Sequence, residues 1–255
     1  MNEFETLPGN THVAALHAPS ADRAPRLDVY GAIHKALRAF MSDTLVRLGA
    51  ADIDDAGERA LALDAVDALL AQMRSHLQHE NDFLHTAIEA RRPGGARHTA
   101  DDHLGHVEAI ANLEDEVRAL RDLGDGRADQ RALQAARLYR HLAEFVAENL
   151  VHMQVEETDN HATLWALYTD AELVAIHDRL LASVAPAEMA RVVRWMAVSL
   201  SVAELAGLFA EMRTKAPAPA FEALLDIARA QLDERRWARL ARALGRPPVP
   251  GLMSA

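Results

Sequence analysis

The sequence predicts an all-α protein: an up-down-up-down four-helix bundle with an additional, smaller C-terminal helical region. Three observations carry that expectation. Apolar residues recur at spacings of three and four along four long stretches. The composition is 50% hydrophobic but only 5% aromatic, and alanine and leucine dominate it, which describes an aliphatic helical core. No segment alternates strictly, with β-branched residues, as a half-buried strand would.

Residues 1–25 mix Pro8, Gly9, Pro19 and Pro25 with small polar residues and read as a flexible arm. The bundle is expected over 26–168. Its first helix, about 27–48, carries Leu27, Tyr30, His34, Leu37, Met41, Leu45 and Leu48 on one face, and Gly49 follows as a terminating glycine. A polar stretch with Asp52, Asp54 and Asp55 opens the second, about 58–90, where Leu69, Met73, His76, Glu80, Phe83 and Ala87 share a face. Arg91-Arg92-Pro93-Gly94-Gly95 stops it. The third starts near Thr99 as its cap and ends before Leu123-Gly124-Asp125-Gly126. The fourth starts near Ala128 and runs past Glu157 towards Tyr168.

Residues 169–245 read as shorter helices. Thr169–Glu172 and Ser201–Glu204 are capping-box patterns, and Pro186 and Pro219 suit first helical positions. Trp165, Trp195 and Trp237 lie in or just before this part, suggesting an appendage with its own aromatic packing. Residues 246–255 hold Pro247, Pro248 and Pro250 and form a tail.

A net charge of −11 argues against a protein that binds nucleic acid by neutralising phosphates. The absence of cysteine excludes disulfides, thiolate metal sites and cysteine nucleophiles. No stretch suits a membrane span, and the acidic N-terminus does not suit a secretory signal, so a cytoplasmic location is expected. Thirteen histidines and 38 carboxylates are the only abundant metal-ligand chemistry.

Two His-x-x-x-Glu pairs stand out: His76 with Glu80, and His152 with Glu156. Residues four apart on a helix lie on one face, about 5–6 Å apart at Cβ, so each pair can reach one metal or two neighbouring ones. His34 on the first helix and His103 on the third add one inward imidazole each. Four histidines and two glutamates suit two iron ions with coordination positions left over, and on ligand type zinc or manganese as well. His85 and Glu89 match the same spacing, but His85 falls nine residues after His76, half an α-helical turn off the ligand face, and is set aside.

The order His34, His76-x-x-x-Glu80, His103, His152-x-x-x-Glu156-Glu157 resembles the hemerythrin-like, or HHE cation-binding, family over about residues 27–160. The resemblance implies a non-haem di-iron centre, oxo- or hydroxo-bridged, inside a four-helix bundle. His34 and His76 would serve one iron, His103 and His152 the other, and Glu80 and Glu156 would bridge them. Two positions depart from the oxygen carriers of that family. Val107 stands where they have a second histidine four residues after the one matching His103, and the bridging aspartate expected at 157 is Glu157. Water, Glu157, Glu148 or His106 could supply the missing donor.

The implied function is binding of oxygen or another small diatomic ligand such as nitric oxide, for sensing, storage or protection. The alternatives are a di-iron oxidase or peroxidase, and an interaction protein whose metal braces the bundle while residues 169–245 meet a protein partner. Tyr30, His106 and His141 are the only candidates for an acid or base. Glu-x-x-His repeats of the ferritin type are absent. The arginine stripe Arg235, Arg239, Arg242 and Arg246 reads as a solvated face.

Overall fold

A computed structural model describes residues 26–123 and 127–247; the arm expected over 1–25 and all of the tail after Pro247 lie outside the described residues. Among the described residues every regular element is a helix and none is a strand. The long helices are α1 (Gly31–Ala50), α2 (Ala56–His79), α4 (Arg97–Arg121) and α5 (Ala128–Val155). Between α2 and a short α3 (Thr86–Arg91) the chain makes a π-helical turn over Glu80–His85, and between α5 and α6 (His161–Leu167) a second one over Glu156–Asn160. The periodicity of the sequence describes each of these composite rods as one helix and does not separate the wider turns.

The four long helices pack in a ring: α1 against α2 and α5, α2 against α4, and α4 against α5. Leu37, Met41, Leu63, Leu69, Leu70, Met73, Leu113, Leu138, Leu142 and Phe145 fill its interior. Each such side chain removed from water contributes roughly 1.5–3 kcal/mol, which offsets the ordering of the chain around it.

Several expected boundaries move, each for a physical reason. Gly49 does not end the first helix. It has no positive φ, and it lies inside α1 where an added Cβ would stand 2.8 Å from the ring of Tyr139. It is small because α5 approaches closely. Thr99 is not a cap but an internal residue of α4, buried with its hydroxyl turned inward. The start of α4 is held instead by the Glu89 carboxylate, which accepts the backbone N–H of Gly94 (2.6 Å) and of Ala96 (2.9 Å). After Glu80 the buried face of the second rod passes through Leu84, His85, Ala87 and Ile88, while Phe83 is only partly covered.

The C-terminal region comprises α7 (Asp170–Ser183), α8 (Pro186–Ser199), α9 (Val202–Lys215), α10 (Ala218–Arg229) and α11 (Glu234–Ala243). Both capping boxes form, at Thr169–Glu172 and Ser201–Glu204, and Pro186 opens α8. The region has aromatic packing of its own, with Phe209 edge-on to Phe221 at 6.1 Å and Trp237 against the same cluster, but it also shares a core with α1. Trp195 of α8 stacks on Phe40 of α1 at 4.5 Å between ring centroids, and Ala36 of α1 belongs to the same buried cluster as Phe209, Phe221 and Leu225. Trp165 of α6 stacks on His161 and donates to the carbonyl of Leu27.

Candidate metal centre

Each rod of the ring delivers its part of the site from a fixed point. His34 comes from the first turn of α1 and is fully buried; His103 comes from the second turn of α4. His76 and His152 each lie in the last turn of an α-helix, and Glu80 and Glu156 each begin the π-helical turn that follows. All six are buried.

Their donor atoms come together in two groups that share both glutamates. His34, His76, Glu80 and Glu156 form one, and Glu80, His103, His152 and Glu156 the other, with the ligand atoms of each group within 4.8 Å of one another. On the first side, His34 Nε2 lies 3.4 Å from Glu80 Oε1 and 3.5 Å from Glu156 Oε2, and His76 Nε2 lies 3.2 Å from Glu80 Oε1. On the second, His103 Nε2 lies 3.0 Å from His152 Nε2 and 3.6 Å from Glu80 Oε2, and His152 Nε2 lies 3.4 Å from Glu156 Oε2.

A surrounding shell orients the imidazoles. His34 Nδ1 donates to Glu157 Oε1 (3.0 Å), which Arg38 also holds (2.5 Å). His103 Nδ1 donates to Asn81 Oδ1 (2.9 Å), and His152 Nδ1 donates to Asp102 Oδ2 (3.1 Å). With Nδ1 so committed, a neutral ring turns the lone pair of Nε2 inward, the arrangement by which outer carbonyls and carboxylates prepare metal-binding histidines. Glu157 is therefore an orienting group. Glu148 is exposed, and so is Val107. His106 is buried edge-on to His152 at 4.8 Å between centroids, with Nδ1 lacking a partner. His141, an acid or base candidate on sequence, donates to Glu116 at the half-exposed rim, away from the donor groups.

The π-helical turns bring in two residues that α-helical spacing turns away. A turn bonded i→i+5 holds one residue more than an α-turn. Five residues after each shared glutamate, His85 and His161 therefore face inward, and both are buried. The signal is present in the sequence as a repeat, His-x3-Glu-x4-His, at 76/80/85 and again at 152/156/161. The expectation that His85 lies off the inward face assumes an unbroken α-helix; the wider turn buries it there, outside both donor groups. His85 stacks on His103 at 4.7 Å, and its Nε2 lies 3.7 Å from Glu156 Oε1. His161 stands one layer back, edge-on to Tyr30.

Electrostatics follow from burial and these partners. Burial opposes protonation of His34, but the bonds from Glu157 and Glu80 outweigh it and hold its pKa at about 9. Burial, then the negative charge of Glu156, raises Glu80 to about 7. Glu156, despite burial, is held well below the usual carboxylate range by His103, His152 and His85. Burial and the charge on His34 push His76 well down, and burial lowers His103. His152 is raised: against burial, the nearby carboxylate of Glu156 prevails.

Glu80 Oε2 and both oxygens of Glu156 are buried without a hydrogen-bond partner. Such orphaned acceptors are costly unless a cation completes them. Inward-facing imidazole nitrogens and carboxylate oxygens are the donor types of iron, zinc and manganese, so the residues fit such an ion on each side. No family model matches the chain, and no curated protein matches it either. No described helix is long and apolar enough to cross a membrane.

Proposed function

We propose that this protein is a hemerythrin-like, or HHE-type, di-iron protein that binds oxygen or another small diatomic ligand such as nitric oxide. The observation that carries the reading is the set of three unpartnered carboxylate oxygens, buried within a ring of inward-facing imidazoles from four helices. In this reading the ring is an up-down-up-down bundle, which the packing of α1, α2, α4 and α5 on successive neighbours supports. His34 and His76 would hold one iron and His103 and His152 the other, with Glu80 and Glu156 available to both. When bound, the iron pair supplies redox-active positions for a small ligand.

The chain's own residues do the rest. Glu80 and Glu156 offset charge that the dry interior does not tolerate alone. Asp102, Asn81 and Glu157 fix the imidazoles. Tyr30 lies 5.3 Å from His34 between ring centroids, with its hydroxyl buried and unpartnered. Burial, then the charges of Glu156 and Glu80, hold its pKa well above the ordinary phenol value, so it stays a neutral hydrogen-bond donor beside the centre.

Elemental analysis of protein purified without a histidine tag tests the reading, followed by anaerobic reduction and titration with oxygen and nitric oxide. Two irons per chain and ligand-dependent visible absorption are expected. Protein that takes up zinc alone, with no spectral response, would leave a metal that only braces the helices. Sustained peroxide turnover would favour an enzyme.

A further inference from the structure

We propose that His85 is a fifth imidazole of the metal centre, on the His103/His152 side, delivered there by the π-helical turn Glu80–His85. The inference rests on the two-metal reading above and adds a ligand to it. Three observations carry it.

First, Asn81 Oδ1 accepts from Nδ1 of both His103 (2.9 Å) and His85 (3.1 Å). A single amide oxygen thus sets both rings in one tautomer, each with the lone pair on Nε2. Second, the two Nε2 atoms are equidistant from one target: each lies 3.7 Å from Glu156 Oε1, an oxygen with no hydrogen-bond partner. The rings stack 25° from parallel at 4.7 Å between centroids, so His85 stands directly beside the imidazole of a donor residue. Third, the hydrogen-bond partner that His85 Nε2 has among the described residues is releasable. The Thr99 hydroxyl lies 3.1 Å away, but the carbonyl of Ala96, 3.2 Å from the same hydroxyl, is an alternative acceptor.

The matching residue of the other repeat shows the contrast. His161 Nε2 accepts the backbone N–H of Val29 (3.2 Å), a donor that would be stranded if the nitrogen turned to a metal. His161 is therefore committed to the chain, whereas His85 is free to bind. The centre becomes lopsided as a result. His103, His152 and His85 crowd one ion, and His34 and His76 leave the other with fewer protein donors, on the side where Tyr30 stands.

Cobalt(II) titration of metal-free full-length protein, read by elemental stoichiometry and by visible ligand-field absorption, tests the assignment. Wild type should take up two ions. His85→Ala should hold one ion as tightly as wild type and the other roughly 100-fold more weakly, at or beyond the loss typical of an outer-shell change. Millimolar imidazole should restore the second ion. A His85→Ala protein that binds two ions with the wild-type affinity and spectrum overturns the proposal and leaves the two-metal reading standing. Wild type that binds fewer than two ions overturns both. Should the variant not fold, the wild-type cobalt protein labelled with 15N-histidine decides the matter. Five contact-shifted imidazoles, from His34, His76, His85, His103 and His152, support the assignment, and four overturn it.

Discussion

Glu80 and Glu156 stand in both donor groups, whereas His76 stands in one. Replacing them therefore has unlike consequences. His76→Ala should leave a protein with about one ion per chain, while Glu80→Ala removes a shared donor and a charge and should weaken both ions, by at least roughly 10–100-fold. Metal-to-protein ratios of the two variants measured side by side check this, and equal losses would count against a shared glutamate. The His34–Glu157 pair makes a separate prediction for the metal-free chain. His34 is raised from its usual 6.5 to about 9, so its contribution is full below pH 6.5 and is lost as the pH climbs through 9. Glu157, despite burial, is held at about 2 rather than 4.5 by His34 and Arg38, so its contribution is full above pH 4.5 and is lost as the pH falls through 2. The pair is thus whole between these limits. Denaturant midpoints should decline from pH 6.5 to 9, at no more than about 1.4 kcal/mol per pH unit for one proton. In Glu157→Gln the decline should be shallower, and parallel profiles would refute the linkage.

At the scale of the element, the two π-helical turns decide what the helices present. Helical periodicity located the four rods and the six residues His34, His76, Glu80, His103, His152 and Glu156, because His34 and His103 lie on regular α-helix and the other four precede or open the wide turns. It could not place His85, since a change from i→i+4 to i→i+5 bonding leaves the hydrophobic spacing on either side intact. Nor could it supply Asn81 and Asp102 as orienting groups, which are polar residues of ordinary type until the neighbouring helix is in place. A wide turn behaves as a helix with one residue inserted, and this is testable. Deleting the exposed Asp82 makes His85 the fourth residue after Glu80, still on the inward face. The variant should fold with a stability change of about 1 kcal/mol or less and keep its metal stoichiometry. Deleting the exposed Glu108 from the regular α4 rotates one part of that helix against the other by about 100°. That protein should lose its cooperative unfolding. If the two deletions prove equally damaging, the inserted-residue description of Glu80–His85 is wrong.

Across the whole molecule, α1 is shared. One face carries His34 into the metal centre; another carries Ala36 into the C-terminal core, with Phe40 beneath Trp195. The tryptophans alone could not reveal this, because a sequence records that an aromatic is present and not which layer it stacks on. Trp195→Ala should lower the stability of the full chain by an amount that includes about 0.5–1.5 kcal/mol for the stacked pair beyond the area lost. Thermal unfolding of the metal-loaded protein should show it as a lower midpoint with the metal-to-protein ratio unchanged. Loss of both ions on the same substitution would mean that the docked helices shape the centre directly.

The Lys35 ammonium pairs with Glu204 of α9 at the residue next to His34, so the first helix is gripped within one peptide unit of a metal donor. A contact of that kind obeys reciprocity. Any molecule that seats on α8 or α9 and shifts α1 by changing this grip must alter the affinity of the centre by some factor, and filling the centre must alter the affinity for that molecule by the same factor. The C-terminal helices thereby hold a thermodynamic handle on the candidate metal site without contributing a residue to either of its donor groups.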